Sequence, residues 1–162
     1  MEKEFLQIIK RNQGIIHKVC NIYCDDQDDR NDLFQEIVAQ LWKSFPSFRE
    51  ESKFSTWMYR VALNTAITTF KKTKRRPDQN RLTYENFQLK DENYDTETED
   101  EIKNLHRAVA QLTGVEKSIV LLFLENKKYE EIAEITGITQ NYVRVKMNRI
   151  KKKLKKFMET ED

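Results

Sequence analysis

Gly14, Pro46, Pro77, Gly114 and Gly137 are the only glycines and prolines in this 162-residue chain. A many-turned β architecture needs these residues at short intervals, because they supply the backbone conformations that tight turns demand. Long stretches free of both suit helices, whose interiors exclude them. The expected fold class is all-α.

Charge divides the chain further. The formal net charge is only +2, but the signs are segregated. Lys71, Lys72, Lys74, Arg75, Arg76 and Arg81 form a basic stretch, "DENYDTETEDE" from Asp91 to Glu101 is acidic with no base, and Thr139 to Phe157 is basic with no acid. Blocks of like charge repel and stay solvated. The acidic block therefore reads as a flexible linker, residues 77–101, between two small helical domains, 1–76 and 102–162. Its acids are expected to pair with the basic helix of the second domain or with Lys71 to Arg76, closing the domains electrostatically.

No window approaches the roughly 20 apolar residues that span a bilayer, and "MEKEFLQIIKRNQ" is charged from its second residue. No membrane insertion and a cytoplasmic location are expected. Cys20 and Cys24 lie one helical turn apart, which suits reduced thiols rather than a disulfide framework.

In the first domain, Ile8, Ile9, Ile15, Ile16, Val19, Ile22 and Tyr23 follow one helical period, and Asp25 to Asp32 supply a polar turn. Leu33, Ile37, Val38 and Leu41 then give the next helix an apolar face, leaving Asp32, Gln35, Glu36 and Gln40 on a polar one. Pro46 opens a connection that ends near Ser55 or Thr56, either able to cap a helix over Trp57 to Lys72. On it Tyr59, Arg60, Asn64 and Thr68 are expected to lie sideways or outward. Phe54 and Trp57 fit a core or a stacking surface equally well. Arg60, Asn64 and the basic tail favour nucleic acid, since aromatic rings stack on unpaired bases while cations hold the backbone.

"DLFQEIVAQLWKSFPSFREESKFSTWMYRVALNTAI" resembles the second conserved region of the sigma-70 family, most closely the extracytoplasmic-function (ECF) sigma factors. The resemblance implies that Asp32, Leu33, Gln35 and Glu36 face core RNA polymerase. It also implies that Phe48 to Lys53, with Arg49 and Ser52, form a loop receiving a flipped-out base of the minus-ten element. Thr56, Trp57, Tyr59, Arg60 and Asn64 would lie on or just beneath the DNA surface, with Lys71 and Lys72 along the backbone. Glu50 stands where relatives often have glycine, which leaves the identity of the flipped base open.

In the second domain Ile102, Leu105, Val109 and Leu112 lead into "GVEKSIVLLFLENKK", a buried helix through Ile119, Leu122 and Phe123. "YEEIAEITGITQNYVRVKMNRIKKKL" then reads as a helix-turn-helix. Ala133 permits close approach, Gly137 makes the turn, Ile138 fills the core and Thr139 caps the reading helix. Val143, Met147, Ile150 and Leu154 form an inward stripe. Gln140, Asn141, Arg144, Val145, Asn148 and Arg149 are left for a major groove, and the lysines that follow, Lys152 among them, for phosphates. This half is similar to the fourth conserved region of sigma factors, which implies minus-35 recognition by these residues together with Thr139 and Tyr142. Thr113 and Gly114 replace a usual Leu-Pro pair, which is expected to weaken the start of the helix carrying Ser118.

His17, Cys20 and Cys24 share a helical face, yet their spacing is not that of a zinc knuckle and a core role is expected, with no metal. No nucleophile elbow or phosphate loop is present, and the only histidines are His17 and His106. Neither catalysis nor a cofactor is expected. The leading expectation is a promoter-specificity subunit of core RNA polymerase, acting on duplex and melted promoter DNA and open to restraint by an anti-sigma factor. The alternatives are a helix-turn-helix regulator that is not a polymerase subunit, and a helical adaptor without nucleic acid.

Overall fold

The computed structural model describes residues 2–48, 53–74 and 96–159, and all regular structure among them is helical. The residues expected to form most of the linker, 75–95, lie outside this set.

Helices α1 (Glu2–Arg11) and α2 (Gln13–Tyr23) divide what the periodicity presents as one helix. Asn12 makes the break: its backbone leaves helical geometry (φ −120°, ψ 21°). Its side-chain amide donates to the Ile8 carbonyl at 2.9 Å, the same oxygen that accepts its backbone N–H at 3.2 Å, tying Asn12 back onto the end of α1. Helix α3 (Gln27–Ser44) runs into a single 3-10 turn, Phe45–Ser47, at Pro46. Helix α4 (Phe54–Lys74) starts at Phe54, earlier than the capping residues suggest. The extension brings Phe54 within 5.3 Å of Trp57, ring centre to ring centre, and Phe48 lies 5.4 Å from Phe54 and 5.0 Å from Trp57. Ile16, Val19, Cys20, Leu33, Ile37, Leu41, Met58, Ala62 and Leu63 fill the space between α2, α3 and α4.

Helix α5 (Thr96–Ala110) begins inside the stretch expected as linker. Acidic residues at a helix N-terminus complement its dipole, so the same charges that argue for solvation also favour a first turn. Ile102 and Leu105 on α5 are 53% and 44% exposed, contrary to the expected buried stripe. Of the same spacing, Val109 is half-buried and Leu112, just past α5, is buried; on α5 itself Ala108 goes inward.

Helix α6 (Gly114–Leu124) has a strong start where a weak one is expected. The Thr113 hydroxyl accepts from the Glu116 N–H at 3.2 Å, and the Glu116 carboxylate accepts from the Thr113 N–H at 2.9 Å. This reciprocal cap satisfies two otherwise stranded donors. Helices α7 (Tyr129–Thr136) and α8 (Gln140–Glu159) complete the second domain around Leu112, Ile119, Leu122, Ile132, Ile135, Val143, Met147 and Ile150.

The two domains share one continuous apolar core. Helices α2 and α4 pack on one another and on α6, and α4 also meets α7. The contact between the domains is largely apolar among the described residues; the charge pairing expected of the linker falls on acids most of which lie outside that set. Helix α4 is consequently covered on two sides, by α2 and α3 and by α6 and α7.

Candidate nucleic-acid interface

The helix-turn-helix is built as its sequence demands. Gly137 ends α7 in the left-handed region, φ 79°, where a side chain would be strained. The Thr139 hydroxyl accepts from the Tyr142 N–H at 3.1 Å, capping α8. Val143, Met147 and Ile150 are buried and Leu154 half-buried, which fixes the rotation of α8. Thr139, Gln140, Asn141, Tyr142, Arg144, Val145, Asn148, Arg149 and Lys152 are all exposed. One face therefore carries amide, guanidinium and apolar groups of the kinds that read base edges, with no acid to repel phosphate.

The lysines of α8 differ in their employment. The Lys153 ammonium reaches both oxygens of the buried Glu116 carboxylate, at 3.0 and 3.2 Å, tying α8 to α6. Burial alone would raise the Glu116 pKa, but the hydrogen bonds from Thr113 and Lys153 hold it below the usual carboxylate range. Lys151 lies over the Phe123 ring at 5.3 Å. Lys152 projects to solvent.

On α3, Asp32, Gln35 and Glu36 share exposed positions, whereas Leu33 is 2% exposed. Leu33 is therefore a core residue supporting that helix, not part of its outer face. On α4, Thr56 is half-buried and Asn64, Lys71 and Lys72 are exposed; before it, Phe48 is half-buried and Lys53 exposed. Arg49 and Ser52 lie outside the described residues.

Trp57 and Tyr59 are 8% and 3% exposed. The outward placement expected of Tyr59 is corrected, and the reason is geometric. Residues two apart on a helix point roughly 200° away from each other, so both rings are buried only on a helix covered from two sides. Trp57 packs into the aromatic cluster of the first domain; Tyr59 faces the second, with the Lys127 ammonium 5.7 Å from its ring centre. Burial, and then the nearby Glu125 carboxylate, push its hydroxyl up to about 12. Arg60 is exposed, but its guanidinium donates to the Glu134 carbonyl of α7 at 2.6 Å.

Cys20 is buried and Cys24 half-buried, and burial pushes their thiols up to about 11 and about 12. Raised thiols in an apolar setting are unreactive packing residues. His17 instead stacks on Phe34 at 4.9 Å.

Sequence reasoning misses a cluster at the junction of the domains. The Tyr23 hydroxyl donates to the Gly114 carbonyl at 2.5 Å, and the Lys117 ammonium sits 4.5 Å from the Phe70 ring centre and 5.8 Å from that of Tyr23. A lysine inside the apolar run "GVEKSIVLLFL" is the one signal of it.

Fold and surface define an all-helical protein with a helix-turn-helix joined to a second helical domain. Residues 8–76 match the family model of sigma-70 region 2, and residues 102–154 that of sigma-70 region 4. RNA polymerase sigma factor SigV of Bacillus subtilis is 31% identical over 141 residues, covering 86% of this chain and 82% of that protein. The ECF RNA polymerase sigma-E factor of Haemophilus influenzae is 31% identical over 163 residues, covering 91% and 84%. The chain belongs to the sigma-70 family, in its ECF group. It has the fold of the Bartonella quintana sigma factor RpoE solved with the anti-sigma factor NepR (TM-score 0.69, 15% identity, 99% of each chain). CnrH, solved with the cytosolic domain of CnrY, is similarly alike (TM-score 0.70, 13% identity, 100% of this chain and 92% of that one). Among the described residues no helix is long and apolar enough to cross a membrane.

Proposed function

We propose that this sigma factor joins core RNA polymerase through the exposed face of α3 and reads promoters with α8 on the minus-35 element and α4 on the minus-ten element. Transcription initiation is the function of its family. The observation that carries the division of labour is the acid-free, solvent-facing surface of α8, backed by a buried stripe that leaves it one rotation. Asp32, Gln35 and Glu36 support the polymerase contact through a polar patch on a rigid helix. Thr56, Trp57, Tyr59, Arg60 and Asn64, with the loop from Phe48 to Lys53 and the cations Lys71 and Lys72, serve the melted strand. The chain acts in the cytoplasm, by binding and without catalysis or cofactor. An anti-sigma factor is its natural antagonist, as the Bartonella quintana sigma factor of the same fold is solved in such a complex.

Reconstituted transcription tests this reading. Core polymerase with the chain, on a genomic DNA library, is expected to start transcripts at sites that share two spaced elements, and core polymerase alone is not. Site-specific DNA binding by the chain without polymerase capture would instead identify a free-standing regulator.

A further inference from the structure

We propose that Phe5, in the first helix, is a positioning residue for the minus-ten strand: through a run of adjacent aromatic rings it sets Phe48, Phe54 and Trp57 where unpaired bases can meet them. The proposal rests on the functional reading above and gives α1 a task in it.

The region 2 match begins at residue 8, so Phe5 stands before it. Nothing in that match gives Phe5 a role, yet it is 4% exposed, and it and Ile9 are the buried residues of α1. The break at Asn12 frees α1 from the axis of α2. Phe5 then meets Trp42 near the end of α3 and Phe45 in the 3-10 turn, with ring centres 5.0 and 5.4 Å away.

From Phe45 the rings continue toward the strand. Phe45 lies 6.3 Å from Trp57, which lies 5.0 Å from Phe48 and 5.3 Å from Phe54. Phe48 and Phe54 also meet each other edge to face at 5.4 Å. They stand on either side of residues 49–52, which lie outside the described set. The Lys53 carbonyl accepts the Trp57 N–H at 3.2 Å, joining the first turn of α4 to the same cluster. Tilted and edge-on rings have preferred geometry, because the positive edge of one faces the negative face of the next. In a close-packed interior a shift of one ring is therefore passed to its neighbour. Phe48 and Phe54 are only half-buried, so the run reaches solvent at the end assigned to the strand. A stacking surface binds well only when supporting side chains hold its rings in place.

Three variants separate support from mere stability. Phe5→Leu keeps apolar volume and removes the ring, and Phe5→Ala removes both. Ile9→Ala takes buried volume from the same helix but no ring from the run. Neither substituted residue is itself assigned to DNA or polymerase.

Each form, bound to core polymerase, would be titrated by fluorescence anisotropy against two labelled probes copied from a promoter recovered by library transcription. One is a single strand spanning the minus-ten element, the other a duplex carrying the minus-35 element. Urea unfolding of the free chains ranks their stabilities and sets a temperature at which every form is folded. Phe5→Leu is expected to weaken single-strand binding on the order of tenfold, comparable to one stacked base, with duplex binding and both affinities of Ile9→Ala kept within about twofold. Phe5→Ala should lose at least as much; should it not fold, Phe5→Leu against Ile9→Ala decides. Strand binding by Phe5→Leu equal to that of the unmodified chain overturns the proposal. So does an equal strand loss in Ile9→Ala, which would make Phe5 a core residue and nothing more. Promoter-specific transcripts together with either of those results refute the positioning role alone, whereas an unmodified chain that yields no transcripts with core polymerase refutes the sigma-factor reading and the proposal with it.

Discussion

Leu33 and Glu36 lie three residues apart on α3, and burial assigns them opposite tasks. Leu33 fills the core, so Leu33→Ala should destabilise the first domain by about 2–5 kcal/mol, measured by urea unfolding. Glu36 is exposed beside Gln40, whose amide donates to it at 3.1 Å. Glu36→Lys should leave stability within about 0.5 kcal/mol and weaken affinity for core polymerase, as a binding titration would read. At the start of α6, Thr113→Ala removes half of the reciprocal cap and should cost about 1 kcal/mol by the same unfolding measurement. The carboxyl on the other side of that cap, Glu116, has its folded pKa held below its ordinary value. The unfolded chain therefore binds the proton more readily, and the contribution is full above the ordinary value of 4.5 and lost as pH falls through the lower, folded one. Glu116→Gln should flatten the acid limb of a stability–pH profile.

At the scale of elements, the proposed function gives α8 two separable jobs along one helix. Its first turns present Gln140, Asn141 and Arg144, while Lys152 follows the buried Ile150. Arg144→Ala should change which minus-35 sequences are preferred, because a guanidinium reads guanine by a paired contact worth roughly 1–3 kcal/mol. Lys152→Ala should weaken all sequences alike and reduce the salt slope of binding by about one. A library selection run at two salt concentrations reads both effects. Lys153, although adjacent, is committed to Glu116, so its loss should register in stability as well as in DNA affinity.

For the whole molecule, acidity should act on the domain junction. His106 on α5 is half-buried, and burial lowers its pKa, with Asp25 opposing and Arg30 and Lys117 reinforcing the shift. These neighbours come from the α2–α3 turn, from α3 and from α6, so the imidazole senses both domains. A folded pKa below the ordinary 6.5 means the unfolded chain takes up the proton first. Stability is then full above that value and declines as pH falls through it toward the folded pKa. Melting temperature should drop between pH 7.5 and pH 5.5, and His106→Gln should lessen that drop.

Most of the secondary structure is legible in residue order, because helix periodicity, Gly137 and the Thr139 cap are local: each acts within a turn or two of itself. The exposed face of α8 is legible for the same reason, since one apolar stripe fixes its rotation. Asn12 and Thr113 are local too, but their effect depends on which nearby group a side chain bonds, and composition alone does not tell a break from a cap. What residue order leaves open is the fate of α4. Its sequence offers aromatic, apolar and polar residues around nearly the whole circumference, and a helix of that kind takes its exposure from whatever packs against it. Only the fold brings α6 and α7 onto the side bearing Tyr59, and with them Gly114 against Phe70 and Arg60 against Glu134, contacts between residues 44 or more positions apart. Pairings across such distances follow from the matching of two surfaces, and no periodicity within either segment encodes the match.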